Sequence, residues 1–167
     1  KKYDLIILGC GPAGEKAATK AAYFKKTVAV VEQFDYLGGA GVNTGTLPSK
    51  TLKQTVLYLS GKYEKGIYGI ERSLERSISI NDFLYRKNEV IESQRKFIHK
   101  NLKVHNIDLY EGKASFVDKY NISIEGPVKT TIEGKKILIA TGSYPFHPPN
   151  IPFDGKRIHD SDSILKI

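Results

Sequence analysis

Residues 9–14 read Gly-Cys-Gly-Pro-Ala-Gly, a complete G-x-G-x-x-G, and their setting constrains the chain more than any other segment. Before them stands a short apolar run, Tyr-Asp-Leu-Ile-Ile-Leu at 3–8, stopped by Gly9 as expected of a strand buried on both faces. After them, residues 12–25 are rich in alanine and lysine and predict a helix. Residues 27–32, Thr-Val-Ala-Val-Val-Glu, predict a second strand. Strand, glycine turn, helix and strand in about 30 residues make one βαβ unit, which commits the chain to a parallel sheet flanked by helices. In that setting Gly9 permits a tight turn and Gly11 lets the backbone approach a pyrophosphate. Gly14 allows close packing of helix on strand, and the helix start at Pro12 and Ala13 supplies partial positive charge. Glu32 stands 18 residues after Gly14, where a carboxylate can accept both hydroxyls of an adenosine ribose. Its charge repels a 2′-phosphate, so the site suits FAD or NAD rather than NADP.

Further along, a glycine-rich loop runs from Leu37 to Gly45, followed by a helix over about 47–59 with Pro48 in its first turn. Residues 61–76 read as an irregular connection. From Ile80 to about His105, Phe83, Leu84, Val90, Ile91, Phe97, Ile98 and Leu102 recur at helical spacing and predict a long amphipathic helix, with His99 and His105 on its exposed side. Residues 107–110, 114–117, 121–125 and 128–132 predict short strands, and 136–140 a further buried strand ending at Thr141-Gly142-Ser143. The segment from Tyr144 holds four of the seven prolines and reads as an exit segment.

Composition narrows the partners. With 167 residues the chain has the length of about one domain, and no apolar run is long enough to span a bilayer. Leu5–Leu8 are followed at once by glycines, unlike a signal peptide. Cys10, the single cysteine, has no internal disulfide partner, which points to a reducing, cytoplasmic setting. Between glycines, it reads as a small buried side chain. The net charge is +8, yet Lys and Arg are interspersed with acidic residues and form no basic tract. A solvated surface is therefore expected, with neither nucleic acid nor membrane as partner. His99, His105, His147 and His159 lack metal-ligand spacing, and no metal is expected. Methionine is missing even at position 1, as in a chain trimmed from something longer.

Residues 38–50 read Gly-Gly-Ala-Gly-Val-Asn-Thr-Gly-Thr-Leu-Pro-Ser-Lys. With Gly112-Lys113-Ala114 and Ala140-Thr141-Gly142-Ser143 in the same order, this segment resembles the flavoprotein pyridine nucleotide-disulfide oxidoreductases, among them glutathione reductase and dihydrolipoamide dehydrogenase. The resemblance implies an α/β fold: a Rossmann-like FAD-binding domain with a central parallel sheet, a long amphipathic helix and a small antiparallel β-meander. It adds Gly38, Gly39, Thr46 and Lys50 to the cofactor site as a segment running past the isoalloxazine. Lys113 and Ala114 would contact the adenine through the backbone, and Thr141 and Gly142 would lie beside the diphosphate. Lys50 would be the catalytic residue, a charge near flavin N5 that stabilises density arriving with hydride.

In that family two redox cysteines stand where this chain has Gly41 and Thr46. Without a dithiol relay, disulfide substrates are excluded and hydride exchange through the flavin remains. The soluble pyridine nucleotide transhydrogenases work in this way, with NADPH and NAD as substrates. Gly45-Thr46-Leu47-Pro48-Ser49-Lys50 is similar to their G-T-I-P-S-K segment, and Phe116-Val117-Asp118 and residues 157–165 are similar to theirs as well. Members often keep a cysteine at the position of Gly41, so this chain departs from them there. The resemblance further implies that residues 1–145 are the N-terminal part of an FAD domain, and that 146–167 lead toward an NAD(P) domain absent from this chain. The full-length protein is expected to be a homo-oligomer, and the chain alone to bind FAD weakly without transhydrogenase activity. Two alternatives need the same residues, a flavin-dependent NAD(P)H diaphorase and a non-catalytic flavin- or nucleotide-binding fragment.

Overall fold

A computed structural model of the protein describes residues 1–60 and 79–166. The irregular connection expected over 61–76 lies outside them. Two compact units are formed, residues 1–42 with 94–144, and residues 43–93 with 145–167.

The first unit is built on one six-stranded sheet of order β3-β2-β1-β6-β5-β4. Its strands are β1 (Lys2–Leu8), β2 (Val28–Glu32), β3 (Asp108–Glu111), β4 (Lys113–Phe116), β5 (Asn121–Glu125) and β6 (Thr130–Ile139). Strands β3, β2, β1 and β6 run parallel, and β6, β5 and β4 form the antiparallel meander. Every residue of β2 is buried, in keeping with the apolar run Val28–Val31 inside a parallel sheet.

The meander buries one face of the parallel strands. Ile6, Leu8, Ala29 and Val31 form a single cluster with Ile122, Ile124 and Ile132, bordered by Tyr110, Ala114 and Ile137. Alternation along β5 produces this, with Ile122 and Ile124 inward and Asn121, Ser123 and Glu125 less buried. On the other face helix α1 (Pro12–Tyr23) lies close to Ile7. A Cβ added at Gly14 would fall 3.3 Å from the Ile7 Cγ2 atom and 2.0 Å from the Gly9 carbonyl oxygen, so the helix approaches this closely only with glycine there.

Five expectations need correction. Residues 128–132 and 136–140 are not two strands but parts of the single strand β6. Glu133 pairs with Asn121 of β5 on one side and Lys2 of β1 on the other, so the meander continues the parallel sheet without a turn. The second half of β6 is not buried either, since Leu138 and Ile139 are exposed and β5 pairs only with its first half. Within the glycine-rich loop, residues Gly39–Asn43 form one short helical turn, α2, fixed by the buried Val42, whose N–H donates to the Gly38 carbonyl.

In the long helix α4 (Ile80–Val104), Ile91, Ile98 and Leu102 are buried as the stripe requires, but Phe97 is exposed. It is adjacent to Ile98, about 100° away around the helix, and only one of the two can point inward. His105 is half-buried, its Nδ1 2.8 Å from the Asn101 carbonyl oxygen, rather than free on the outer face; His99 is exposed as expected.

The second unit contains α3 (Thr46–Leu59) and the first part of α4. Lys87 of α4 is buried and donates to the Leu165 carbonyl at 2.6 Å, and burial lowers its pKa. This bond ties α4 to a terminal 3-10 turn at Ser163–Lys166.

Candidate nucleotide-binding site

The C-terminal ends of β1, β2, β3 and β6 lie along one edge of the parallel sheet, where ligands of open α/β sheets bind. Backbone hydrogen bonds join these ends. The Gly9 N–H donates to the Val31 carbonyl at 2.8 Å, and the Ala140 N–H to the Leu8 carbonyl at 2.8 Å. The Gly112 N–H donates to the Glu32 carbonyl at 2.8 Å, and the Gly38 N–H to the Cys10 carbonyl at 2.9 Å. Residues far apart in sequence, at 9–14, 32, 38–39, 112–114 and 140–142, are thereby brought to one edge.

Within this frame the glycine loop is tight on one side and open on the other. Gly9 has φ +101°, and a Cβ there would lie 2.4 Å from the Ala140 carbonyl oxygen. At Gly11 a Cβ would meet nothing nearer than the Gly39 Cα at 3.8 Å. Helix α1 opens with Gly11 as N-cap and Pro12 in its first turn, and no side chain caps it. Pro12 and Ala13 are exposed. An uncapped helix start beside an open glycine is the arrangement that receives a phosphate group.

The Glu32 carboxylate is 6% exposed and accepts two backbone hydrogen bonds, from Cys10 N–H at 2.8 Å to Oε2 and from Phe34 N–H at 3.1 Å to Oε1. Each carboxylate oxygen has a second lone pair, so these bonds leave acceptor capacity for ribose hydroxyls. They also orient the group before any ligand arrives. The residues present fit a dinucleotide: room for a further atom at Gly11, amide dipoles at α1 and a preset acceptor at Glu32.

Lys113 is exposed and Ala114 half-buried at the start of β4, one residue beyond Gly112. Thr141 and Gly142 are exposed just past β6, and a Cβ at Gly142 (φ +75°) would meet nothing within 4 Å. Gly38 and Gly39 flank the start of α2. Thr46 and Lys50, both exposed, belong to α3 in the second unit. Gly41 faces the Pro12 ring, and a side chain there would begin 3.0 Å from Cγ, a contact that Pro12 must yield to accommodate.

One buried carboxylate in this region is missed by sequence reading. Glu15, in the first turn of α1, is 4% exposed, accepts a hydrogen bond from Asn101 Nδ2 of α4 and pairs with Lys16 Nζ at 3.0 Å. Nothing along the helix pattern marks it, because its burial is produced by α4, a segment more than 80 residues away.

Cys10 is fully buried, and burial together with the nearby Glu32 and Glu15 carboxylates pushes its thiol up to about 12. A thiol so placed yields almost no thiolate at neutral pH. The folded protein is therefore expected to resist alkylation by iodoacetamide at pH 8 over an hour, while urea-denatured protein is labelled completely. Rapid labelling of the native protein, read by mass spectrometry, would contradict the buried placement.

A parallel sheet carrying a glycine loop, an uncapped helix start and a preset acceptor at the end of the second strand defines a Rossmann-like α/β fold. The profile of the family described as pyridine nucleotide-disulphide oxidoreductase matches residues 3–166, and the chain belongs to that family. Among curated relatives, it is 40% identical to a soluble pyridine nucleotide transhydrogenase of Mycobacterium bovis, over 100% of this chain and 36% of the relative. It is 37% identical to the protein of the same name from Colwellia psychrerythraea, over 99% of this chain and 36% of the relative. The chain thus spans about a third of the length of these relatives. Among solved structures, the HOCl-induced flavoprotein disulfide reductase RclA from Escherichia coli, as its Cu(II) complex, superposes with TM-score 0.79 at 29% identity, covering 100% of this chain and 35% of that one. Among the described residues no helix is long and apolar enough to cross a membrane, and no group of His, Cys, Asp or Glu could hold a metal ion.

Proposed function

We propose that this chain is the FAD-binding portion of an NAD(P) transhydrogenase that exchanges hydride between NADPH and NAD without a redox disulfide. The observation that carries the reading is the Glu32 carboxylate, held at the end of β2 by two backbone N–H groups beside the uncapped start of α1. The relatives at 37–40% identity, named soluble pyridine nucleotide transhydrogenases, support the reaction class. So do Gly41 and Thr46, which stand at the two positions of the family's redox cysteines and carry no thiol.

When bound, the flavin supplies reversible hydride chemistry. The chain's own residues bind and orient it. Glu32 accepts from the adenosine ribose, and the start of α1 at Gly11, Pro12, Ala13 and Gly14 receives the diphosphate. Thr141 and Gly142 close on the same group, and the backbone at Lys113 and Ala114 meets the base. For Gly38, Gly39, Thr46 and Lys50 the support is the family resemblance, by which they would border the ring system, with Lys50 as a positive charge against developing negative charge. Residues 1–145 make up this FAD-binding portion, and 146–167 lead out of it.

The test is reconstitution. The purified 167-residue protein is expected to take up FAD, with a flavin absorption spectrum that persists through gel filtration, and to show no NADPH-dependent reduction of thio-NAD. The same assay on a polypeptide that adds a nicotinamide site is expected to give turnover unaffected by thiol-blocking reagents. Failure to retain FAD, or activity confined to disulfide substrates, would overturn the proposal.

A further inference from the structure

Phe34 and Tyr36 lie just beyond Glu32 in the segment that follows β2. Their rings stack, with centroids 5.2 Å apart and planes within 7° of parallel. The Arg95 guanidinium of α4 lies over the Tyr36 ring, 4.7 Å from its centroid. Phe34 is thus held by a ring that is itself held by a cation from another element. Even so, 50% of Phe34 is exposed.

An ordered, half-exposed phenyl ring in a polar segment flanked by the exposed Gln33 and Asp35 has no role in the core cluster. Its location gives it one. The Phe34 N–H donates to Glu32 Oε1, so the residue is tied to the carboxylate that the FAD reading gives to the ribose. The Glu32 carbonyl in turn accepts from Gly112, at the turn into β4. Aromatic faces receive nucleobases by stacking, whatever the base's hydrogen-bonding edge.

We infer that Phe34 is the base shelf of the site: its exposed ring face takes the adenine of the dinucleotide whose ribose Glu32 accepts, and Tyr36 with Arg95 holds the ring in position. This rests on the FAD reading above and adds a specificity residue to it. The exchange is a simple one, in which an apolar ring face backed by Tyr36 becomes covered by the purine.

The experiment measures dissociation constants for FAD and FMN, which share the flavin but differ in the adenosine, on the wild type, Phe34→Ala and Phe34→Tyr. Phe34→Ala is expected to weaken FAD by about tenfold or more, the range of base–aromatic stacking, and to leave FMN unchanged. Phe34→Tyr, which keeps the ring, is expected to bind FAD like the wild type. Equal FAD affinity in wild type and Phe34→Ala, or an equal loss for FMN, would overturn the shelf. If the wild type itself binds no FAD, the underlying FAD reading fails instead, so the two failures are told apart by the wild-type arm.

Discussion

Replacing Gly9 with alanine is expected to destabilise the protein by about 3–5 kcal/mol, from positive-φ strain of a few kcal/mol plus overpacking of similar size. Gly9 has φ +101°, where an L side chain is rarely accommodated, and the new methyl would stand 2.4 Å from the Ala140 carbonyl oxygen and 3.0 Å from its carbon. Those atoms are backbone and cannot rotate away. They are also fixed, because the Ala140 N–H donates to the Leu8 carbonyl immediately before the glycine. Relief would require β6 to separate from β1 at the very edge where the dinucleotide site is assembled, so FAD retention should fall together with stability. Urea unfolding followed by circular dichroism checks the first part and the flavin absorbance of the purified variant the second. A loss below about 1 kcal/mol would mean that the loop relaxes more easily than its geometry indicates.

The second large effect is expected at Glu32. Glu32→Gln keeps the shape and removes the charge, but its amide oxygen can accept on one side only. The NH₂ group then confronts either the Cys10 or the Phe34 N–H, which both donate to the carboxylate now. Losing a charge-assisted bond and leaving a buried donor unpaired costs about 2–4 kcal/mol. Because the same oxygens would accept the ribose hydroxyls, the affinity for FAD should fall by about a hundredfold, equivalent to ~2.7 kcal/mol. Denaturant titration and fluorescence titration with FAD separate the two consequences. Unchanged FAD affinity in a folded Glu32→Gln protein would remove the carboxylate from the binding argument.

The extent to which the fold is legible in sequence varies by element, and the reasons are physical. Strand β1, helix α1 and strand β2 follow from local pattern, since an apolar run, a glycine turn and an alanine-rich stretch each act within a few residues. Strand β6 does not. Gly134-Lys135-Lys136 resembles a break, yet Gly134 lies inside a continuous strand, where a side chain would begin 2.7 Å from Ile6 Cδ1. The glycine there serves a neighbouring strand, information that no local window contains. Exposure of Leu138 and Ile139 is similarly a matter of which strands pair beside them. For the site, spacing marks Gly9, Gly11, Gly14 and Glu32, whereas the buried Glu15 and the stacked Phe34–Tyr36 pair depend on contacts with α4.

The sequence by itself determined a glycine loop between a buried strand and a helix, with an acidic residue at the end of the next strand, because those constraints are short-range. The tertiary structure decided how that acid is used. Folding brings Glu32 to the Cys10 N–H, 22 residues earlier, and sets Gly112 and Ala140 at the same sheet edge through backbone bonds. A carboxylate becomes a preset acceptor only when distant amides hold it in place, and that depends on strand order and register rather than on spacing along the chain.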